Sequence, residues 1–337
     1  MGGSDRFAYD ALLWFNRMAY TITTLLVMSD IRILLTGGNG LVGKNLLELS
    51  NSYKFKFISP RRQELELTDY QATLAYVREI QPDIVIHAAG KVGGIHANLN
   101  EPVKFFLDNL DIGRNIVWAS RQAGIKNLIN LASSCMYPRN HDAPLTEDMI
   151  LKGELEPTNE GYAISKIAIT KLCAYINRED SNYAYKTLIP CNLYGRHDKF
   201  DPGCSHLLAA IVDKVHKAKI DDKPFVHIWG DGSVRREFMY TGDFADMIMQ
   251  AIIHFETLPA IMNVGIGTDL TVNDYYKAVA DVIGYSGAFK YDLDKPVGMR
   301  RKLLDTQKQG LWGWKPKTNL HSGIQMTYDY YLSNFAI

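Results

Sequence analysis

Residues 31–43 read Ile31-Arg32-Ile33-Leu34-Leu35-Thr36-Gly37-Gly38-Asn39-Gly40-Leu41-Val42-Gly43. The short apolar run Ile31–Leu35 has the character of a buried parallel strand. The three glycines Gly37, Gly40 and Gly43 stand at T-G-x-x-G-x-x-G spacing, where the strand gives way to a helical pattern. A turn of this kind lets the backbone approach a pyrophosphate, and the first helical amides, at Leu41 and Val42, then face its charge. Glycine spacing alone is weak evidence. Its place directly after a strand and before a helix makes it a dinucleotide-binding turn.

The same alternation continues downstream. Asp83–Ala88, Asn127–Leu131 and Lys186–Pro190 are further apolar runs, separated by helical stretches at Gln71–Ile80, Val103–Ala123 and Tyr162–Arg178. Strands of this kind between helices predict an α/β fold: a doubly wound parallel sheet of Rossmann type, covered on both faces. Asp243–His254 reads as a later helix and Ala260–Val264 as a strand returning to the sheet. Beyond residue 195 the pattern loosens. The expected division is a dinucleotide-binding domain over 28–195, rejoined by 241–275, and a smaller discontinuous C-terminal substrate domain over 196–240 and 276–337. Upstream, residues 1–27 read as an N-terminal extension, an added helix or an over-called start. Ala11–Met28 is mostly apolar but is interrupted by Asn16 and Arg17, so no stable membrane insertion is expected.

Bulk composition narrows the classes. The chain has 337 residues, 47% hydrophobic and 22% charged, with a formal net charge of zero. Balanced charge argues against nucleic acid as a partner, because such proteins carry a basic footprint. Cys135, Cys173, Cys191 and Cys204 form no CxxC pair and no zinc-like spacing, so no metal is expected. Free thiols suit a reducing, cytoplasmic setting.

Two further features concern chemistry. The end of the second strand reads Ser59-Pro60-Arg61-Arg62-Gln63, with no acid before Glu64. An acid there would bond the ribose hydroxyl of NAD, whereas arginines accept the extra phosphate, so the cofactor reads as NADPH. Tyr162 and Lys166 form a Y-x-x-x-K pair on one helical face, with Ser133 on an earlier strand-end loop. The ammonium of Lys166 is expected to lower the Tyr162 pKa, making the phenol a proton donor near neutral pH. Ser133 is expected to bond the substrate carbonyl, and Lys166 also to hold the nicotinamide ribose.

Longer segments carry a more specific signal. They are His87-Ala88-Ala89-Gly90-Lys91-Val92-Gly93-Gly94-Ile95, Ser133-Ser134-Cys135-Met136-Tyr137-Pro138 and Asn159-Glu160-Gly161-Tyr162-Ala163-Ile164-Ser165-Lys166. To these add Asn192-Leu193-Tyr194-Gly195, Ser205-His206, Trp229-Gly230-Asp231-Gly232, Arg235-Arg236-Glu237-Phe238 and Arg301-Lys302-Leu303-Leu304-Asp305. From about Ile31 to Asp305 the chain resembles the GDP-L-fucose synthase family, among the extended short-chain dehydrogenase/reductases. The resemblance implies NADPH-dependent reduction of the 4-keto group of a GDP-4-keto-6-deoxy sugar. It implies acid/base work by Cys135 and His206 at sugar carbons 3 and 5 before the reduction. It implies cofactor contacts at Ala88, Ala89 and Arg62, and substrate contacts at Ser134, Asn192, Lys214, Trp229, Arg236 and Lys295. It also implies a homodimer built on the helices Val103–Ala123 and Tyr162–Arg178.

Departures from the family pattern gather on substrate-facing segments. Gly161 stands for a proline, Gly195-Arg196-His197-Asp198-Lys199-Phe200 for Gly-Pro-His-Asp-Asn-Phe, and Lys214 for an arginine. Lys295-Pro296-Val297-Gly298-Met299-Arg300-Arg301 replaces Lys-Pro-Asp-Gly-Thr-Pro-Arg. These point to an alternative, a C4 reductase of another GDP-4-keto sugar, such as a 6-deoxy-heptose, without epimerase activity. A dehydratase would need an acidic pair after Ser133, where Ser134-Cys135-Met136 stands. A non-catalytic dinucleotide-binding protein would be expected to have lost Tyr162 or Lys166. Both are present.

Overall fold

The computed structural model describes residues 31–201, 205–295 and 297–336. The expected extension 1–27 and Cys204 lie outside them. The first half runs β1 (Arg32–Thr36), α1 (Leu41–Ser50), β2 (Lys56–Ile58), α2 (Tyr70–Ile80), β3 (Ile84–His87), α3 (Ile95–Asn100), α4 (Pro102–Gln122), β4 (Asn127–Leu131), α5 (Glu160–Glu179) and β5 (Ala184–Pro190). The second half runs β6 (Asn192–Tyr194), α6 (Leu207–Ile220), β7 (Phe225–Trp229), β8 (Arg235–Arg236), β9 (Phe238–Tyr240), α7 (Thr241–Ile253), β10 (Ile261–Val264), β11 (Leu270–Thr271), α8 (Val272–Ile283), β12 (Ala288–Asp292), β13 (Arg301–Lys302), α9 (Gln307–Trp312) and α10 (Leu320–Asn334).

Six strands form one parallel sheet in the order β10-β5-β4-β3-β1-β2. This is the doubly wound architecture expected from the alternating runs. The period of two in each strand explains the covering of both faces. Ile33 and Leu35 point into one layer with Leu46 of α1 and Phe244 and Ile248 of α7. Leu34, between them, points into the other with Val77 of α2, Ile116 of α4 and Ile169 of α5. The observed helices exceed or shift their expected bounds by one or two residues, as fraying ends do.

A separate apolar cluster lies in the later chain. It joins Leu208, Ile211, Val212 and Val215 of α6 to Val226 and Ile228 of β7, Tyr275 and Val279 of α8, and Ile324 and Tyr331 of α10. The strands here are short. β7 pairs with β12, and β8 pairs with both β11 and β13. The carboxylate of Glu237, fully buried between β8 and β9, accepts the amides of Ile266, Gly267 and Leu304 at 2.7, 2.8 and 2.9 Å. It thereby fastens the β8–β13 pair to the sheet edge at β10.

Candidate active site

The glycine turn is built for close approach. Gly37 has φ +78°, and a Cβ there would lie 2.6 Å from the Ala89 amide nitrogen and 2.7 Å from the Ala88 carbonyl carbon. A Cβ on Gly43 would fall 2.3 Å from the Gly37 carbonyl oxygen. Only glycine lets the turn, the start of α1 and the end of β3 meet this tightly. Gly40 opens α1 without a side-chain cap, and no acid stands in the first turn. The amides of Leu41, Val42 and their neighbours therefore remain available to an anion. These observations fit a dinucleotide pyrophosphate. Ser59 packs against Gly38, so the end of β2 adjoins the turn. Arg62, well exposed, pairs with Glu66 at 2.6 Å, and Arg61 pairs with Glu64 at 3.3 Å. A ribose phosphate would take Arg62 from Glu66.

Beyond the turn, β4 ends in Ser133, whose hydroxyl accepts the Cys135 amide at 3.2 Å and caps a short 3₁₀ turn, Ser134–Met136. α5 runs beside this loop and presents Tyr162 and Lys166 on one face. Lys166 is buried, donates to the Leu131 carbonyl at 3.2 Å and lies 5.8 Å from the Tyr162 ring centroid. Burial pushes its ammonium down to about 8.

The expected lowering of the Tyr162 pKa is not found. Burial pushes the phenol up, the neighbouring Cys135 adds to the rise, and only a hydrogen bond with Ser133 opposes it. The reason is that Lys166 is itself desolvated and directed at a backbone carbonyl, so its field does not offset the loss of water. Tyr162 therefore rests protonated, the form a proton donor needs.

Cys135 has two neighbours that the spacing arguments missed. Asn159 donates to its sulfur at 3.2 Å, and the buried Lys302 donates at 3.5 Å. Asn109 is a second omission. It accepts the Lys91 amide at 2.9 Å and donates to the Lys91 carbonyl at 3.0 Å, pinning the loop after β3 beside Lys166. His206 opens α6, and its Nδ1 is buried without a partner among the described residues. Burial and the Lys199 charge hold its imidazole below the usual range. The adjoining Ser205 carbonyl lies against Gly94.

Other candidates extend outward. Ser134 is buried in the 3₁₀ turn, and Asn192 donates to the Glu237 carbonyl at 2.9 Å. Arg236 donates to the carbonyls of Arg235 and Val297 at 2.8 and 2.9 Å, and burial holds its guanidinium below the usual range. Trp229 is 48% exposed, with the Lys295 ammonium 5.9 Å from its ring centroid. Lys214 donates to the His227 carbonyl at 2.9 Å and to the Tyr276 hydroxyl at 3.4 Å.

Residues 33–265 match the model of the NAD dependent epimerase/dehydratase family. The chain is 52% identical over 303 residues to the GDP-L-colitose synthase of Yersinia pseudotuberculosis, covering 90% of this chain and 98% of that one. It is 49% identical over 302 residues to the GDP-L-fucose synthase of Azorhizobium caulinodans, covering 90% and 96%. Among solved structures, a GDP-mannoheptose C4 reductase from Campylobacter jejuni with NADP bound superposes with a TM-score of 0.82 at 30% identity, covering 90% and 98%.

Proposed function

The chain belongs to the NAD dependent epimerase/dehydratase family and, within it, to the GDP-L-fucose synthases, and from that premise we propose that it reduces the 4-keto group of a GDP-4-keto-6-deoxy sugar. It is an NADP-dependent oxidoreductase. The observation that carries the reading is the meeting of Ser133, Cys135, Tyr162 and Lys166 beside the glycine turn.

NADPH, when bound, supplies the hydride to the ketone carbon. The protein's own work is to place and protonate the oxygen. The amides at the start of α1 would hold the pyrophosphate, and Arg62, now paired with Glu66, would take the ribose phosphate. Ser133 donates a hydrogen bond to the sugar carbonyl oxygen and keeps its proton. Tyr162, held neutral by burial, then passes its phenolic proton to that oxygen as negative charge develops. The Lys166 ammonium, freed from the Leu131 carbonyl, stabilises the phenolate left behind. Arg236 and Lys295 face the diphosphate, with Trp229 beyond them.

Cys135 and His206 supply the acid and base for exchange at carbons 3 and 5, where the ketone acidifies both C–H bonds. The Lys302 ammonium donates to the sulfur and holds it in place beside the sugar. The reductive unit spans 28–195 and 241–275, and the cluster around α6 and α8 forms the sugar-nucleotide unit over 196–240 and 276–337. No helix among the described residues is long and apolar enough to cross a membrane. The free thiols of Cys135, Cys173 and Cys191 suit a cytoplasmic enzyme. Its place is in making an activated sugar for a polysaccharide.

The test is incubation with GDP-4-keto-6-deoxymannose and NADPH, followed by product NMR. Stoichiometric NADPH oxidation and a C4-reduced product are expected. Tyr162→Phe should lower kcat by about 10²–10⁴-fold, the usual weight of general acid catalysis, with NADPH binding intact. The heptose alternative draws on the C4 reductase similarity and on Gly161, Lys199, Lys214 and Val297. A side-by-side assay in which the hexose substrate turns over as well as the heptose removes it.

A further inference from the structure

Side chains fall into a linear order leading away from Cys135. Lys302 touches the Cys135 sulfur, and Arg236 is its register partner across β8 and β13. Arg236 holds the Val297 carbonyl, and Lys295, two residues before Val297, lies over Trp229. In the β7–β12 pair, Asp292 is the register partner of Trp229. Along β7, Val226 and Ile228 are buried while His227 and Trp229 are exposed, so Asp292 shares the open face with Trp229. Lys214 holds the backbone carbonyl of His227, two residues before Trp229.

This sequence matches an extended nucleotide sugar read from one end to the other. The sugar lies at Cys135, the diphosphate at Arg236 and Lys295, and the base at Trp229. We infer that Asp292, flanked by Lys214, reads the hydrogen-bonding edge of a guanine base laid against Trp229. The inference rests on the GDP-sugar reading above and assigns the residue that selects the base.

The chemistry is complementary. The edge of guanine presents a carbonyl acceptor, then the N1–H and N2–H donors. A carboxylate is an acceptor with two oxygens and can take both donors at once. An ammonium beside it donates to the carbonyl. Adenine presents its acceptor and donor in the opposite arrangement. The half-exposed indole of Trp229 offers the stacking surface that any base accepts, and so gives affinity without choice. The Asp292 carboxylate has no hydrogen-bond partner among the described residues, and its backbone is fixed by bonds from the amides of Gly230 at 2.8 Å and Lys295 at 3.4 Å. Burial holds the Lys214 ammonium below its usual range, and the nearby Asp292 charge opposes that fall. An acceptor held in place beside an aromatic face, with its oxygens free, is suited to recognition.

The test compares GDP with IDP, which lacks only the N2 amino group, by calorimetry on the NADP-loaded enzyme. The wild type should bind GDP about tenfold or more tightly than IDP, the weight of one charge-assisted hydrogen bond. In Asp292→Asn that ratio should collapse towards one, with the larger loss on GDP. Asp292→Ala is the second variant, and thermal melts check that both are folded. If GDP and IDP weaken equally in both variants, or the ratio survives, Asp292 does not read the base and the inference is overturned. Persistent NADPH oxidation with GDP-4-keto-6-deoxymannose in the wild type would show that only this assignment had failed. Absence of any GDP binding in the wild type would overturn both the assignment and the function beneath it.

Discussion

Burial and charge act against each other at Lys166. Its ammonium is nearly enclosed, and the only hydrogen bond described for it goes to a backbone carbonyl. The fall from 10.5 to about 8 is a burial effect. At 1.36 kcal/mol per unit it corresponds to about 3 kcal/mol of folding energy forgone at neutral pH. Between those two pKa values the unfolded chain binds a proton that the folded chain has released, so stability rises with pH across that window. Lys166→Met should therefore fold more stably than the wild type at pH 7, less about 1 kcal/mol for the lost bond to Leu131. The difference should close between pH 8 and 10.5, while turnover is abolished. Urea titrations across pH would show it, and a variant less stable at pH 7 would contradict the assignment of the shift to burial. The i, i+4 spacing made Tyr162 and Lys166 legible in the sequence, because it is a local property of a helix. Their electrostatics were not legible, since burial is set by elements far along the chain. Lys302 was missed for the same reason: it meets Cys135 across 167 positions, and no local period marks that meeting.

At the scale of the element, legibility follows length and regularity. β1, β3, β4 and β5 are apolar runs of four to seven residues and could be read directly. β8 and β13 have two residues each, too few to show any period, yet they carry Arg236 and Lys302 side by side. Glu237 is what fixes this short pair. It is fully buried, its carboxyl is pushed up to about 7 by desolvation, and three amides from two distant segments converge on it. Glu237→Ala should leave those amides without acceptors. At about 1–3 kcal/mol for each buried unsatisfied group, the loss should be about 3 kcal/mol or more, measured as a lower urea midpoint. The glycine turn makes a second test. Gly37→Ala adds a Cβ at a positive φ against the Ala88–Ala89 backbone, which cannot yield as a flexible side chain would. NADPH affinity should fall at least tenfold, read by fluorescence titration, even where the melting temperature changes little.

The whole molecule raises the question of what covers α4 and α5. These two helices pack on each other and on the sheet, with Ile116 and Ile169 turned inward. Their outer surface is unexpectedly apolar. Val103, Leu107 and Trp118 lie on α4, and Ile164 and Tyr175 on α5, all exposed. Positions 103, 107 and 118 recur at intervals of four and eleven, and 164 and 175 at eleven, which places each set along one side of its helix. Several large apolar side chains exposed on two adjacent helices are uncommon on a monomer. Two copies related by a two-fold axis would bury them in a four-helix contact, each set meeting its own counterpart. A charge at the centre of such an interface would be left without water or partner, so a single substitution should suffice to open it. Trp118→Glu should convert a dimer of about twice the 38.1 kDa chain mass into a monomer by light scattering. Gly37 and Gly43 lie at the turn that opens α1, not on α4 or α5, so the monomer should still bind NADPH. A wild type that scatters as a monomer, or a Trp118→Glu variant that remains dimeric, would place the subunit contact elsewhere.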